Sequence, residues 1–171
     1  MLDPVPVENL RLPVVPLPPT DPQAIAEAVR DAMWARDRAT QMMGMACEAV
    51  GPGSATLTMT VRADMINGHG SCHGGLITTL ADSAFAFACN SYNELTVASG
   101  ISIDIVAPAR EGDRLSARCV ERHRTGRTGV YDCEVHNHRG ERIALFRGHS
   151  YTMKGTPVVE GLPLPPSRRR D

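Results

Sequence analysis

The sequence has almost no net charge. Its 171 residues include 18 lysines and arginines against 19 aspartates and glutamates, which gives a formal charge of −1. A nucleic-acid-binding domain normally carries a basic excess, so this balance gives no electrostatic case for DNA or RNA. The sequence also has no apolar run of the roughly 18 residues that a membrane-spanning helix needs. We therefore expect neither a nucleic acid nor a membrane as a partner.

Several other motifs are missing. The five cysteines are odd in number and include no CxxC pair, a pattern that favours reduced thiols in a cytoplasmic protein. The N-terminus has neither a basic segment nor an unbroken apolar segment, so no secretory signal peptide is expected. There is also no GxSxG motif, which would mark a serine nucleophile at a strand-to-helix turn.

The chain divides into an arm, a body and a tail. Six prolines within residues 1–20 predict an extended N-terminal arm. Residues 21–155 are predicted to form the folded domain. Residues 156–171, which end in GLPLPPSRRRD, are expected to be disordered, with the three arginines as a solvated tail.

The body is predicted to contain helices and strands in separate blocks. Thr20 or Asp21 can cap a helix with Pro22 near its start, and this helix is expected to reach about Met42. A Gly-Pro-Gly turn at 51–53 separates two strands, the second of which alternates threonines with apolar residues. One long helix follows, from about 73 to 90, and four more strands are expected near 97–107, 113–124, 128–138 and 141–153. A central helix among mainly antiparallel strands is an α+β pattern.

The most informative segment is NGHGSCHGGLITTLADSAFAFACN, from Asn67 to Asn90. Its glycines at the helix start leave backbone N–H groups bare, and such groups can hold an oxyanion or polarise a carbonyl. The helix that follows is apolar apart from a few small polar residues and one carboxylate, Asp82. A carboxylate is costly to bury without a partner, so its presence there suggests a functional role. The alternative is an aspartate that merely faces solvent.

Helix geometry separates the backbone N–H at the helix start from the Asp82 carboxylate. Asp82 lies eight positions after Gly74, which is about 12 Å along the axis at a rise of ~1.5 Å per residue. One helix therefore cannot bring its own N-terminal amide and its own Asp82 to the same small reacting group. Two antiparallel copies related by a two-fold axis can, so a catalytic role predicts a symmetric dimer with the site at its interface.

This segment resembles the signature of the phenylacetic-acid-degradation (PaaI-type) acyl-CoA thioesterases of the hotdog-fold superfamily. The matching residues begin with Asn67-Gly68-His69, Ser71-Cys72-His73-Gly74-Gly75, Leu80-Ala81-Asp82 and Ala84-Phe85-Ala86. The similarity continues to Leu145-Phe146-Arg147-Gly148, so that it spans about residues 34–153. The resemblance implies a hotdog fold, in which a long curved antiparallel sheet wraps around the helix. It also implies a dimer paired edge to edge, with a homotetramer favoured.

The resemblance implies hydrolysis of acyl-CoA thioesters without a cofactor, and it points to phenylacetyl-CoA or its ring-hydroxylated relatives in phenylacetate catabolism. The Gly74 N–H is expected to stabilise the oxyanion, and Asp82 of the partner subunit is expected to act as nucleophile or general base. Asn67 and His73 are expected to orient the thioester or the loop. The predicted substrate-binding residues are Gly75, Ser83, Ser102, Arg110, Arg122, Arg124 and Arg127, the arginines for the CoA phosphates.

Other functions remain open at this point. The pairs His69/His73 and His136/His138 could each supply two metal ligands, although no further ligands with suitable spacing are evident. Cys72 could be a nucleophile with a neighbouring histidine. A hotdog hydratase or dehydratase, or a non-catalytic module that binds CoA esters for regulation, would share much of the same pattern.

Overall fold

The computed structural model describes residues 20–165 of the chain. The predicted N-terminal arm, residues 1–20, lies outside this range except for its last residue. Among the residues described, no helix is long and apolar enough to cross a membrane.

The first helix, α1, spans Pro22–Trp34 and begins where the sequence predicts. The Asp21 carboxylate caps it by accepting a hydrogen bond from the Ala24 N–H at 3.0 Å. Pro22 stands in the first turn, where its missing N–H costs no hydrogen bond.

The prediction that this helix continues to Met42 is wrong. The chain leaves α1 at Ala35 and begins a second, short helix, α2, at Arg38–Met42. Asp37 causes the restart, because its carboxylate accepts hydrogen bonds from two N–H groups of the first turn of α2, both at 3.1 Å.

Within residues 20–165, six antiparallel strands form a single sheet in the order β1-β2-β4-β5-β6-β3. The strands are β1 (Ala46–Gly51), β2 (Ser54–Thr60), β3 (Glu94–Ile105), β4 (Arg114–Thr125), β5 (Thr128–Asn137) and β6 (Arg142–Pro157). Between β2 and β3 lies helix α3 (Gly74–Asn90), which packs against one face of the sheet. This arrangement confirms the predicted α+β hotdog fold.

The core lies between α3 and the sheet face beneath it. Leu80 and Phe85 of the helix are completely buried or nearly so. The Phe85 ring contacts the rings of Tyr131 and Phe146, with centroid distances of 5.3 and 5.9 Å. The helix face that points to the sheet is therefore fixed by large apolar contacts, and this fixes which residues point away from it.

Two cysteines pair in this core. Cys119 and Cys133 face each other across β4 and β5 and form a disulfide, so the expectation that all five thiols are reduced is wrong for this pair. Cys47, Cys72 and Cys89 are free. The cross-strand contact brings together residues 14 apart in the sequence, which their spacing alone did not indicate.

The folded region extends further than residue 155. Strand β6 runs to Pro157, and the next residues are held by Asn93, whose positive φ of 61° turns the chain after α3. The Asn93 side chain accepts a hydrogen bond from the Val159 N–H at 2.8 Å and donates to the Leu162 carbonyl at 3.1 Å. The prediction of disorder is therefore wrong for residues 156–165, and residues 166–171 lie outside the described part of the chain.

Strand β3 forms one edge of the sheet. It is 12 residues long and pairs only with β6 among the described strands. Val97, Ile101 and Ile105 on this strand are 43%, 47% and 47% exposed. A long edge strand with exposed apolar side chains is a ready template for pairing with another chain.

The contact between Gly148 and Phe85 allows a test of the core packing. A Cβ at Gly148 would lie 2.9 Å from three carbons of the Phe85 ring. Gly148→Ala should therefore lower the free energy of unfolding by about 1–3 kcal/mol through overpacking. Gly100 is the matched control: it precedes Ile101, the β3 residue that pairs with Gly148, and a Cβ added at Gly100 would have no atom within 4 Å. Gly100→Ala should therefore change the free energy of unfolding by less than about 0.5 kcal/mol. Denaturant unfolding of both variants measures this, and equal effects would contradict the assigned contact.

Candidate active site

The start of helix α3 presents one free backbone donor. His73 caps the helix in an extended conformation (φ −60°, ψ 129°), and its Nδ1 accepts a hydrogen bond from the Gly75 N–H at 3.0 Å. The Leu76 N–H donates to the His73 carbonyl at 2.9 Å. Among residues 20–165, the Gly74 N–H has no acceptor. The structure thus leaves Gly74 as the free donor predicted for an oxyanion, whereas it uses the Gly75 N–H, a predicted substrate contact, within the cap.

The glycine-rich loop before the helix is held by Asn67. The Asn67 side-chain oxygen accepts hydrogen bonds from the backbone N–H groups of His69 and Ser71 at 2.9 and 3.3 Å. The Asn67 amide donates to the Ser71 hydroxyl at 3.1 Å, and Arg110 donates through Nη1 to the Gly70 carbonyl at 3.0 Å. Asn67 and Arg110 therefore shape the loop that leads into Gly74.

Asp82 lies on the face of α3 that the chain's own sheet does not cover. Its carboxylate is half-buried and makes no hydrogen bond or ion pair within residues 20–165. Burial raises the pKa of Asp82 above its ordinary value. Ser83 and Thr79 share this partly exposed face. Ser83, a predicted substrate contact, makes no hydrogen bond to the Asp82 carboxylate within residues 20–165.

The uninterrupted helix keeps Gly74 and Asp82 apart within one chain. All residues from Gly74 to Asn90 are helical, so the predicted separation of about 12 Å along the axis holds. The structure also places the edge strand close to the free donor, because a Cβ at Gly74 would lie 2.8 Å from Cδ1 of Ile105. Ile105 was not among the residues predicted for the site. The alternation of apolar residues in β3 indicated which side of the sheet Ile105 faces, but it did not indicate that Ile105 contacts Gly74. The amide and the carboxylate can meet one substrate only across two subunits.

The predicted arginines do not form one cluster. Arg122 bonds Asp132 at 3.0 Å on the sheet face that points away from α3. Arg124 lies on the α3 side of the sheet and covers the ring of Tyr92 at 3.7 Å, near the far end of the helix. Arg127 in the β4–β5 turn donates to a β6 backbone carbonyl at 3.3 Å. Arg110 alone of these four lies beside the glycine loop in the described chain.

Ser102 also lies away from the site. It pairs with Arg147 on β6 and shares a shallow depression with Arg122 and Asp132 on the outer sheet face. Its neighbour Ile103 packs against the core instead. Because strand side chains alternate between faces, Ser102 points away from α3 within one chain, and its predicted contact with the substrate stays a prediction.

The described residues give little support to a metal site or to a cysteine nucleophile. No group of three or more histidines, cysteines or acidic residues that could hold a metal occurs among residues 20–165. His136 and His138 approach different carboxylates, those of Glu134 and Asp113. Cys72 is buried, and burial raises the pKa of its thiol, whereas a nucleophilic cysteine needs a lowered pKa.

The sequence is similar to characterised and solved proteins. A family model described as the thioesterase superfamily matches residues 69–144. The chain is 46% identical over 129 residues to the acyl-coenzyme A thioesterase PaaI of Escherichia coli, and the match covers 75% of this chain and 92% of that protein.

Solved structures agree with this similarity. The E. coli PaaI protein from the phenylacetic acid degradation operon superposes with a TM-score of 0.78 at 43% identity, covering 80% of this chain and 99% of that one. The TT0310 protein of Thermus thermophilus superposes with a TM-score of 0.65 at 39% identity, covering 68% and 97%. The chain therefore belongs to the PaaI-type acyl-CoA thioesterases of the thioesterase superfamily.

Proposed function

We propose that this thioesterase hydrolyses phenylacetyl-CoA or a ring-hydroxylated relative to the free acid and CoA in phenylacetate catabolism. The observation that carries the chemistry is the pair of unused groups on α3, the Gly74 N–H and the Asp82 carboxylate. The similarity to PaaI from the phenylacetic acid degradation operon supports the choice of acyl group. A thioester hydrolase needs such a pair, whereas a module that only binds CoA esters has no use for an unpaired, half-buried carboxylate.

In the proposed reaction, the Gly74 N–H donates to the thioester carbonyl oxygen and stabilises the negative charge that develops on it. Asp82 of the partner subunit then acts in one of two ways. As a general base, it takes a proton from a water molecule whose oxygen attacks the carbonyl carbon. As a nucleophile, it forms an anhydride that water hydrolyses. Both routes break the C–S bond, and the CoA sulfur leaves as a thiolate that is protonated to the thiol.

We propose a homodimer because the site is incomplete without a second copy. The exposed apolar side chains of edge strand β3 support pairing along this strand. Leu145, Tyr151 and Met153 on the outer face of β6 are also 38–40% exposed. These residues support further association of dimers into a tetramer through the outer sheet face. We propose that the enzyme works in the cytoplasm, where its three free cysteines, Cys47, Cys72 and Cys89, would stay reduced.

The supporting residues follow from their contacts. Asn67 and Arg110 hold the glycine loop, and His73 caps α3 so that the Gly74 N–H stays free. We propose that Arg110 also interacts with the phosphates of CoA, since its remaining donors lie beside the loop. Ser83 lies beside Asp82 on the open face of the helix and can contact the substrate there. Arg122, Arg124 and Arg127 lie too far apart to bind one phosphate group within a single chain.

Replacing Gly74 tests the oxyanion donor. Gly74→Pro removes the N–H but suits the first position of a helix, and the extended conformation of His73 accepts a following proline. We expect kcat for phenylacetyl-CoA to fall by about 10²–10³-fold. Gly74→Ala is the matched control, because it keeps the N–H and adds a carbon that the flexible end of Ile105 can avoid. An equal loss in both variants would indicate a steric effect instead.

The raised pKa of Asp82 predicts the shape of the pH profile. Only the carboxylate form can act as a base or nucleophile, and burial raises this pKa above its ordinary value of 3.8. The value of kcat/KM should therefore fall as the pH decreases through this raised pKa, that is, at a pH above 3.8. Steady-state kinetics from about pH 4 to 8 measure this, with circular dichroism to show that the protein stays folded. A flat profile down to about pH 4 would contradict the assignment.

Alanine variants of Asn67 and Ser102 distinguish the loop from the outer face. Asn67→Ala removes three hydrogen bonds that shape the approach to Gly74, and kcat/KM should fall by about 10- to 100-fold. Ser102→Ala should change kcat/KM by less than about twofold, because its side chain faces away from α3. The reverse order of effects would show that the site uses the outer face.

A panel of thioesters tests the substrate class. Phenylacetyl-CoA and hydroxyphenylacetyl-CoA should give a higher kcat/KM than octanoyl-CoA and palmitoyl-CoA, because the small side chains around Asp82 on α3 suit a flat ring better than a long chain. Release of free CoA thiol measures each rate. A kcat/KM that is clearly highest for palmitoyl-CoA would overturn the aromatic substrate while leaving the thioesterase chemistry in place.

A further inference from the structure

Arg124 is a mostly buried cation whose N–H donors have no hydrogen-bond acceptor within residues 20–165. Its side chain is 12% exposed, and its guanidinium carbon lies 3.7 Å from the centroid of the Tyr92 ring. None of its five N–H groups meets an acceptor within residues 20–165. The carboxylate of Glu121 lies 3.6 Å from Nε, beyond hydrogen-bond distance, and already accepts a hydrogen bond from the Tyr131 hydroxyl at 3.0 Å.

A cavity of about 510 Å³ adjoins this arginine. Its walls are mainly apolar and come from Pro22 and Ile25 of α1, Pro52 of the β1–β2 turn and the segment 163–165. The volume lies within the range of sites for small organic ligands, which combine apolar walls with a few polar groups. Ser91 also lines the cavity, but its hydroxyl is already engaged with the Ala88 carbonyl and the Gly53 N–H.

The stacking on Tyr92 orients the guanidinium. A guanidinium that lies flat on an aromatic ring keeps its in-plane N–H groups available, and these match the two oxygens of a carboxylate. Glu121 approaches from the Nε side, which leaves the Nη groups for a ligand. A phosphate would favour further cationic donors, whereas Arg124 is the one charged residue among the described residues of the lining and the other polar groups there are the hydroxyls of Thr20, Ser91 and Tyr92.

We propose that this cavity is a second binding site, which takes a small carboxylic acid with an apolar body. The carboxylate would bind the Nη groups of Arg124, and the apolar body would lie against the proline-rich walls. The cavity lies at the end of α3 opposite Gly74, about 25 Å away along the 17-residue helix. Asp82 lies about 12 Å from the same helix end, so the cavity is separate from both groups of the proposed active site. The acid that the thioesterase releases belongs to this ligand class, but the inference does not depend on the proposed substrate.

Calorimetric titration of the full-length protein with phenylacetate tests the proposal. We expect saturable binding that Arg124→Gln weakens by about tenfold or more, because the charge-assisted hydrogen bonds are lost. Arg118→Gln is the matched control, since Arg118 is an exposed arginine on the same strand and should bind like wild type. Inorganic phosphate should bind more weakly than phenylacetate.

A second variant tests the site without removing a charge. Leu164→Trp places a larger side chain at the cavity wall and should also weaken phenylacetate binding about tenfold or more, with thermal unfolding to show that the fold is intact. Wild-type affinity in both Arg124→Gln and Leu164→Trp would overturn the proposal, as would the absence of saturable binding in wild type. Tighter binding of phosphate than of phenylacetate would contradict the apolar carboxylate class. Because phenylacetate is also the product of the proposed reaction, binding that neither variant weakens is assigned to the catalytic groups and not to this cavity.

Discussion

The rigidity of helix α3 is the constraint on which the function depends. The helix holds the Gly74 N–H at its first residue and Asp82 two turns later, with no break between them. Because about 12 Å separates the two positions, one chain cannot bring both groups to one thioester. The proposed chemistry therefore requires two copies of the chain, and the exposed edge strand β3 offers a surface for their pairing.

The rest of the fold keeps this helix in place and one face of it open. Phe85 packs between Tyr131 and Phe146, and Gly148 allows the sheet to come into contact with the Phe85 ring. These contacts bury the apolar side of α3 and leave Asp82 on the opposite side, half-buried and with a raised pKa. The cap formed by His73 satisfies the Gly75 N–H and leaves that of Gly74 free. Packing and capping thus prepare both groups for a substrate.

Much of this arrangement could be predicted from the sequence. The glycines, the apolar helix and Asp82 were sufficient to place α3 and to predict the separation of Gly74 and Asp82, because helix geometry is nearly invariant. The break of the first helix was not predictable from apolar spacing, since it depends on Asp37 capping a new turn. Residues 158–165 are ordered because the Asn93 side chain holds them. Asn93 lies more than 60 residues earlier in the sequence, so the sequence pattern near residue 160 did not indicate this contact.

The arginines show a different limit. Strand alternation would place Arg122 and Arg124 on the same face of β4, but the register shifts between Glu121 and His123. This bulge reverses the alternation, so Arg122 pairs with Asp132 on the outer face and Arg124 lies on Tyr92 on the inner face. A single extra residue in a strand has no clear signal in one sequence. Here it places Arg122 and Arg124, which were predicted to bind the CoA phosphates together, on opposite faces of the sheet.

The central claim is that each active site combines Gly74 of one subunit with Asp82 of the partner subunit. Co-expression of equal amounts of Gly74→Pro and Asp82→Asn chains tests it most directly. A mixed dimer would contain one intact site, and half of the dimers would be mixed. Turnover should therefore recover to about one quarter of the wild-type value, far above the residual activity of either variant alone. Activity that stays at the level of the separate variants would contradict a shared site.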